Sequence, residues 1–571
     1  MSSLEMPASS IATSPLDATA TIRKYTEEAQ KRVALRQGVS IYSDLLITVS
    51  ERFRSLAEDP WVDHDALNAL VPPLKDGDKA KVIILGGGFS ALLAAVRLIQ
   101  QGFDVDDIRL VDSAGYVPKK RYSPGYEILE HMNRIAVHWN LIDKALFRTK
   151  VTDLVWNEDS KEWTVSLTED RGPGQDARDI KVKAQYFILA SGLLSRPQIP
   201  NIPGLESFGG DMFHTARWNW TVTGGTPIDS DMTMLKDKRV GIIGTGGTAI
   251  QTVPNLARHA EELIVFQRTP SAVSPREQQD PDPVEWKSKM ATHKGWQADR
   301  MVHLARWMTR VASPDEPSLV DDWWTRIDSF HAVLGSSRKG RVPPTPEAIS
   351  AHIAEFVALD LPYGERTRAW VDEIVKDKDT ATKLKAWYPS RCKRPTFSDE
   401  YLQAFNPAEP VMPKIHELGR NGATLEDKWE KQGPATMHGI MSHSFPKLFW
   451  FGGLHTGSAS NHTHMVDVQA RHMAYVLGEA KRRGTAVVEA TVEGEEGWST
   501  ECALRAAWYT MVPMCTPGYF NKEGAMFGKQ PAPEDAMRMA RASSWGEGML
   551  SYEDILTEWR RKGDLTGMVI G

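Results

Sequence analysis

Two glycine-rich runs are the residues of this sequence best spaced for chemistry. Gly86-Gly87-Gly88-Phe89-Ser90-Ala91 follows the apolar run 82–85, and Gly244-Thr245-Gly246-Gly247-Thr248-Ala249 follows 240–243. Glycines straight after a strand allow a tight turn, and the helix that opens there points backbone N–H groups at a pyrophosphate. Ile250 and Gln251 continue the first turn of the second helix. What comes after each turn differs. The strand 108–111 ends in Asp112, a carboxylate able to accept hydrogen bonds from ribose hydroxyls. The strand 263–266 runs instead into Gln267-Arg268-Thr269, where the Arg268 guanidinium suits a 2′-phosphate held by two hydrogen bonds. A free ribose in one pocket and a phosphorylated one in the other assign FAD to the first turn and NADPH to the second. The bland alternatives are an ordinary tight turn at 86–91 and a solvated strand end at Arg268. Ala190-Ser191-Gly192 ends a third buried strand, 186–189. It reads equally as a plain turn or as the place where chain crossing between two nucleotide domains meets the flavin.

Between the two turns lies Phe208-Gly209-Gly210-Asp211-Met212-Phe213-His214-Thr215-Ala216-Arg217-Trp218-Asn219. This resembles the Phe-x-Gly-x-x-x-His-x-x-x-Trp fingerprint of the Baeyer–Villiger monooxygenases. Val265-Phe266-Gln267-Arg268-Thr269-Pro270 is similar to that family's second nucleotide strand, and the resemblance covers most of 79–571. Asp59-Pro60-Trp61-Val62-Asp63-His64 resembles the subset from fungal terpenoid and meroterpenoid pathways. The resemblance implies that NADPH reduces a bound FAD and that one atom of O2 is inserted beside a ketone carbonyl, giving an ester or lactone. It also implies an arginine beside the flavin, in a Lys-Arg pair after a Tyr-Pro. In Tyr388-Pro389-Ser390-Arg391-Cys392-Lys393-Arg394 that residue is Arg394, a fixed cation that would stabilise the negative charge of the attacking oxygen. Taken alone, Lys393 and Arg394 read as a solvated basic pair. By the same resemblance Gly457-Ser458-Ala459-Ser460-Asn461 and Met465 close over the flavin ring, although Met465 suits core packing equally well. His214 then belongs to the linker between domains and not to proton transfer.

The sequence departs from the family in two places. Asp112-Ser113-Ala114 runs directly into Gly115-Tyr116-Val117-Pro118, without the Gly-Gly-Thr-Trp, aromatic and aspartate segment that clamps the flavin ring. Between 410 and 425 the Ala-Thr-Gly-like turn of the second hinge is missing as well. These gaps keep open a catalytically silent nucleotide-binding homologue, and the related architecture keeps open a nitrogen- or sulfur-hydroxylating flavin monooxygenase.

The elements that must position these residues alternate buried strands with helices, so the expected class is α/β. Two Rossmann-like dinucleotide-binding domains, for FAD and NADPH, carry a helical insertion and an N-terminal helical extension. Residues 1–78 form the extension, disordered over 1–20, with helices at 22–37 and 41–57 and pairs Glu27–Lys31 and Glu28–Arg32 at the i,i+4 spacing. Residues 79–235 begin the FAD domain and include the fingerprint 208–219. Residues 236–388 form the NADPH domain, and its insertion from 272 holds seven of the 19 tryptophans, suited to core packing or to an apolar substrate pocket. Residues 389–481 return to the FAD domain through a strand at 447–451 and a helix from about His464, and 482–571 form a C-terminal segment.

Composition bounds the rest. Lys+Arg 68 against Asp+Glu 74 lacks the basic excess that nucleic-acid binding needs. Cys392, Cys502 and Cys515 match neither a metal-ligand spacing nor a disulfide framework, so no metal is expected. The longest uncharged apolar stretch, 82–96, is too short and glycine-rich for a membrane span, and the first twenty residues lack a secretory pattern. The expectation is a soluble cytoplasmic enzyme whose partners are O2 and an apolar ketone.

Overall fold

The computed structural model of the chain describes residues 18–34, 42–43, 63–104, 119–192, 199–200, 202, 204–313, 315–320, 322–405, 425, 428–429, 433–485, 487–510, 515–516 and 533–570. Asp112 and its strand, the junction 113–118 and nearly all of 410–425 lie outside them.

Helix α1 spans Ala18–Ala34. It starts four residues before the expected helix, so residues 18–20 are helical and not disordered. Glu28, not Glu27, collects its basic neighbours: Lys24 at 3.2 Å, Lys31 at 2.9 Å and Arg32 at 3.1 Å. Each lies three or four positions away along the helix, where side chains meet. The helix expected from 41 does not begin there. Tyr42–Ser43 is extended and pairs antiparallel with Ile199–Pro200, a tertiary partner that outweighs local propensity.

The first sheet has five strands: β1 (Lys79–Leu85), β2 (Thr149–Asn157), β3 (Glu162–Glu169), β4 (Arg178–Leu189) and β9 (Leu448–Trp450). β1 and β9 both run parallel to β4, with Leu85 and Trp450 opposite Leu189. β2 and β3 form an antiparallel hairpin that extends from β4. Sequence reading missed this hairpin, although the alternation Trp163, Val165, Leu167, all buried, announces β3. Helices α2 (Phe89–Gln100) and α6 (His462–Arg483) cover one face, joined by an Arg97–Asp467 ion pair at 2.6 Å. Val82, Tyr186, Ile188 and Phe449 point into that core, while Phe187 and Leu448 point into the core on the other face. Two of the three apolar runs expected as buried strands, 82–85 and 186–189, therefore face apolar residues on both sides, whereas 240–243 is covered on one face and leaves Ile243 exposed on the other.

The second sheet is smaller. β5 (Arg239–Ile243) and β6 (Glu262–Phe266) pair in parallel around helix α3 (Ala249–His259). The insertion is mainly helical, as expected, with α4 (Trp296–Met308) and the long α5 (Pro346–Ile374). A short parallel pair, β7 (Val273–Ser274) with β8 (Thr396–Phe397), ties the start of the insertion to the segment after it. Among the described residues no helix is long and apolar enough to cross a membrane.

Candidate active site

The first glycine turn is built against the end of β4. Gly86 has φ +122°, and a Cβ there would lie 2.3 Å from the Ala190 carbonyl oxygen, so only glycine fits. Ala190 N–H donates to the Leu85 carbonyl at 2.8 Å, and Gly192 also has a positive φ of 74°. The turn and Ala190-Ser191-Gly192, left open between a plain turn and a flavin contact, thus form one structure. A Cβ on Gly87 or Gly88 would meet nothing within 4 Å, leaving the backbone open to a ligand. Gly88 caps α2 without a side-chain bond, so the first N–H groups of that helix are available to a diphosphate. Phe89 is half exposed beside them.

The second turn repeats the device. Gly244 has φ +119°, and its N–H donates to the Phe266 carbonyl at 3.3 Å. Thr245 is buried and its hydroxyl donates to the Thr269 carbonyl at 2.7 Å. Ser271 Oγ donates back to the Thr245 carbonyl. Gly246 accepts from Ile250 N–H, the Gln251 amide donates to the Gly247 carbonyl at 2.9 Å, and no atom would oppose a Cβ on Gly247. Thr248 precedes Ala249 at the helix start. Arg268 follows β6 at the rim of this turn and is half-buried, not the fully solvated strand end of the bland reading.

The run 386–399, which carries Arg394, is held at almost every second residue. Arg368 on α5 donates to the Ala386 carbonyl at 3.0 Å and lies 4.4 Å over the Trp387 ring. The Tyr388 hydroxyl donates to the Pro270 carbonyl at 2.7 Å and accepts from Ala272 N–H at 3.1 Å. Asp360, deep within α5, accepts from Ser390 N–H at 2.9 Å, from Ser329 Oγ at 2.8 Å and from Ser390 Oγ. Burial raises the Asp360 carboxyl pKa, and these hydrogen bonds offset only part of that rise. Thr396 Oγ1 donates to the Ala272 carbonyl at 2.8 Å, and Asp399 accepts from the N–H groups of Arg276, Glu277 and Gln278. Cys392 is disulfide-bonded to Cys515, correcting the expectation of no disulfide. A separation of 123 residues gives no spacing pattern to read, and only the fold brings the two together. Amid these anchors Arg394 is exposed and makes no ion pair or hydrogen bond among the described residues. The frame holds the Arg394 backbone and leaves its guanidinium available.

Met465 is 5% exposed in the core under the first turn of α6 and accepts from Thr456 Oγ1 at 3.5 Å. It packs as core filling just beneath the loop 457–461. Asn461 caps α6 by accepting from His464 N–H at 3.2 Å, and Ser460 Oγ donates to Met308 Sδ on α4 at 2.6 Å. The insertion therefore reaches the loop expected to close over the flavin. In the fingerprint segment His214 Nδ1 accepts from Ala216 N–H at 3.1 Å, and burial together with Arg217 lowers the His214 pKa. Of the insertion's tryptophans, Trp370 lies in the core, whereas Trp324 stacks on Phe330 and contacts Phe397 after the Arg394 loop. Sequence reading missed Asp360; an aspartate at a helix-interior position facing apolar neighbours is the signal that could have found it.

These residues fit two dinucleotides at their diphosphate ends: two cradles that a Cβ would fill or strain, each opening a helix. Comparison with known proteins agrees. Residues 80–293 match the family model for pyridine nucleotide-disulphide oxidoreductases. The chain is 44% identical to the polycyclic ketone monooxygenase of Thermothelomyces thermophilus, covering 96% of each, and 36% identical to the FAD-binding monooxygenase ausC of Aspergillus calidoustus, covering 97% of this chain and 94% of the relative. The first alignment runs over 630 positions against a chain of 571, so that relative contains segments this chain lacks. The solved structure of the Thermothelomyces thermophila enzyme superposes with a TM-score of 0.90 at 43% identity over 97% of this chain and 99% of its own. A closed cyclohexanone monooxygenase structure, at 21% identity and a TM-score of 0.61 over 87% of this chain and 99% of its own, shares the fold. With the fingerprint, the paired nucleotide turns and full-length relatives in agreement, the chain belongs to the Baeyer–Villiger monooxygenases, flavin enzymes that use FAD and NADPH.

Proposed function

We propose that this enzyme consumes NADPH and O2 to convert a polycyclic ketone into an ester or lactone in a secondary-metabolite pathway. The reading is carried by the arginine loop: one hydrogen-bonded frame joins the second nucleotide turn, through Thr245, Thr269 and Tyr388, to the backbone that presents Arg394. The name of the Thermothelomyces relative supports the substrate class.

Bound FAD, once reduced by NADPH, supplies the electrons that activate O2. The rest falls to the chain. Gly86, Gly88, Phe89 and Ser90 bind the first diphosphate through the turn and helix start, with Asp112 for the ribose and Ser191 and Gly192 beside the flavin. Thr245 to Gln251 bind the second, and Arg268 and Thr269 take the 2′-phosphate. Arg394 offsets negative charge as oxygen attacks the ketone carbonyl; a preorganised cation in such a site contributes about 10²–10³ in rate. Met465 and the loop 457–461 keep water from the ring. Residues 79–235 with 389–481 serve FAD, and 236–388 serve NADPH.

The test uses purified full-length protein, with flavin content read from absorbance and NADPH consumption followed with a polycyclic ketone under ¹⁸O2. Label in an ester product is the expected result; a fully flavin-loaded enzyme that never labels product sinks the proposal. One observation favours a second reading. Arg394 lacks a carboxylate partner among the described residues, so turnover could end in H2O2. Peroxide equal to the NADPH consumed selects that outcome, and label in a sulfoxide instead of an ester selects heteroatom oxygenation.

A further inference from the structure

Helix α1 lies in the extension that the sequence gives no chemistry, yet in the fold its Arg32 bonds the Arg268 backbone at the rim of the second nucleotide turn. Tyr25, Ala29 and Arg32, at positions i, i+4 and i+7, form its buried face, with exposures of 8%, 1% and 9%. Tyr25 anchors the helix to α5: Arg368 lies 5.9 Å from its ring, and its hydroxyl would be 3.2 Å from a Cβ on Gly364. Arg32 then reaches the end of β6. Its Nε donates to the Arg268 carbonyl at 3.2 Å, its Nη1 to the Glu28 carbonyl at 2.8 Å and its Nη2 to the Glu28 carboxylate at 3.1 Å. Bonds from all three nitrogens leave that side chain one orientation.

The charge arrangement is informative. Glu28 faces Lys24, Lys31 and Arg32, and Arg268 is close enough to add its own positive charge. Burial pushes the Arg32 pKa down, Glu28 pulls it up, and Arg268 pushes it down again. Arg32 and Arg268 carry like charges close enough to repel, and an anion bound beside them offsets that repulsion. A phosphate dianion would relieve that repulsion at the place where Arg268 was assigned to it.

We propose that α1 is part of the coenzyme site: Arg32 is a positioning residue that clamps the Arg268 main chain and so aims its guanidinium at the 2′-phosphate of NADPH. The inference rests on the reading that Arg268 binds that phosphate. Two probes separate specific from general effects: 2′,5′-ADP, which has the 2′-phosphate, and 5′-AMP, which does not. Titrated into the flavin-loaded full chain, Arg32→Met is expected to weaken 2′,5′-ADP about tenfold and to leave 5′-AMP within about twofold. Equal weakening of both probes makes α1 a mere packing element and overturns the proposal, as does no change in either. Arg268→Ala run alongside distinguishes the layers. If it leaves the ratio of the two affinities unchanged, the phosphate reading fails and the inference with it; if it abolishes the ratio while Arg32→Met does not alter it, the inference alone fails. Should Arg32→Met not fold, Arg32→Lys keeps the charge but cannot hold both partners, and about a threefold loss confined to 2′,5′-ADP is expected. An unchanged ratio in that variant overturns the proposal.

Discussion

The two sheets carry the same strand, glycine turn and helix, one in a mixed five-stranded sheet and the other in a parallel pair, and they are buried differently. In the first sheet Val82, Ile84, Tyr186 and Ile188 face the helices α2 and α6, while Ile83, Leu85, Phe187 and Leu189 pack on the hairpin side. In the second, Val240, Ile242, Leu263 and Val265 face a core that includes α3 and α5. Its other face leaves Ile243, Ile264 and Phe266 at 36%, 37% and 57% exposure. The glycine turn survives in both, because its positive φ and helix start are local devices. What the surrounding sheet contributes is depth of core, and the two halves differ there.

The comparison can be broken at several points, in descending order of effect. Gly86→Ala drives a Cβ into the Ala190 carbonyl and is expected to yield protein without bound flavin, whereas a Cβ from Gly247→Ala meets no protein atom and should leave flavin content unchanged, its cost confined to NADPH affinity. Flavin absorbance and equilibrium titration check the pair; similar losses in both would mean that the turns are not built as described. Phe187→Ala, in a fully buried strand centre, should cost about 3–5 kcal/mol in denaturant unfolding. Arg394→Ala should lower ester formation by about 10²–10³ while flavin reduction by NADPH stays within a few-fold. Rapid-mixing spectra separate the two steps, and loss of both would assign Arg394 to hydride transfer or folding. Arg268→Ala should raise the KM for NADPH about tenfold or more and leave that for NADH within about twofold. At the small end, Phe266→Ser on the open face should alter stability by within about 0.5 kcal/mol; a loss like that of Phe187→Ala would reveal that this face is covered in solution.

The parts of this molecule visible in the sequence are those with a local physical reason. Gly86 and Gly244 announce themselves because no other residue adopts their backbone conformation beside a neighbouring strand. Arg268, two residues past β6, needs only a count along the chain. The anchors of the arginine loop are not local. Asp360 lies thirty positions before Ser390, Pro270 lies 118 before Tyr388, and no periodicity connects them. The extension was read as a helix, but its docking face is defined by α5 and β6, elements that no short window contains. Tyr42–Ser43 was misread for the same reason, its partner being Ile199–Pro200.

The bond between Cys392 and Cys515 closes the intervening chain into a covalent ring. β9, the loop 457–461 and all of α6 hang inside it. A single proteolytic nick anywhere along that ring leaves both pieces attached, migrating as one species until a reductant frees them. Cleavage maps of this enzyme therefore have to be read on reduced and non-reduced gels together.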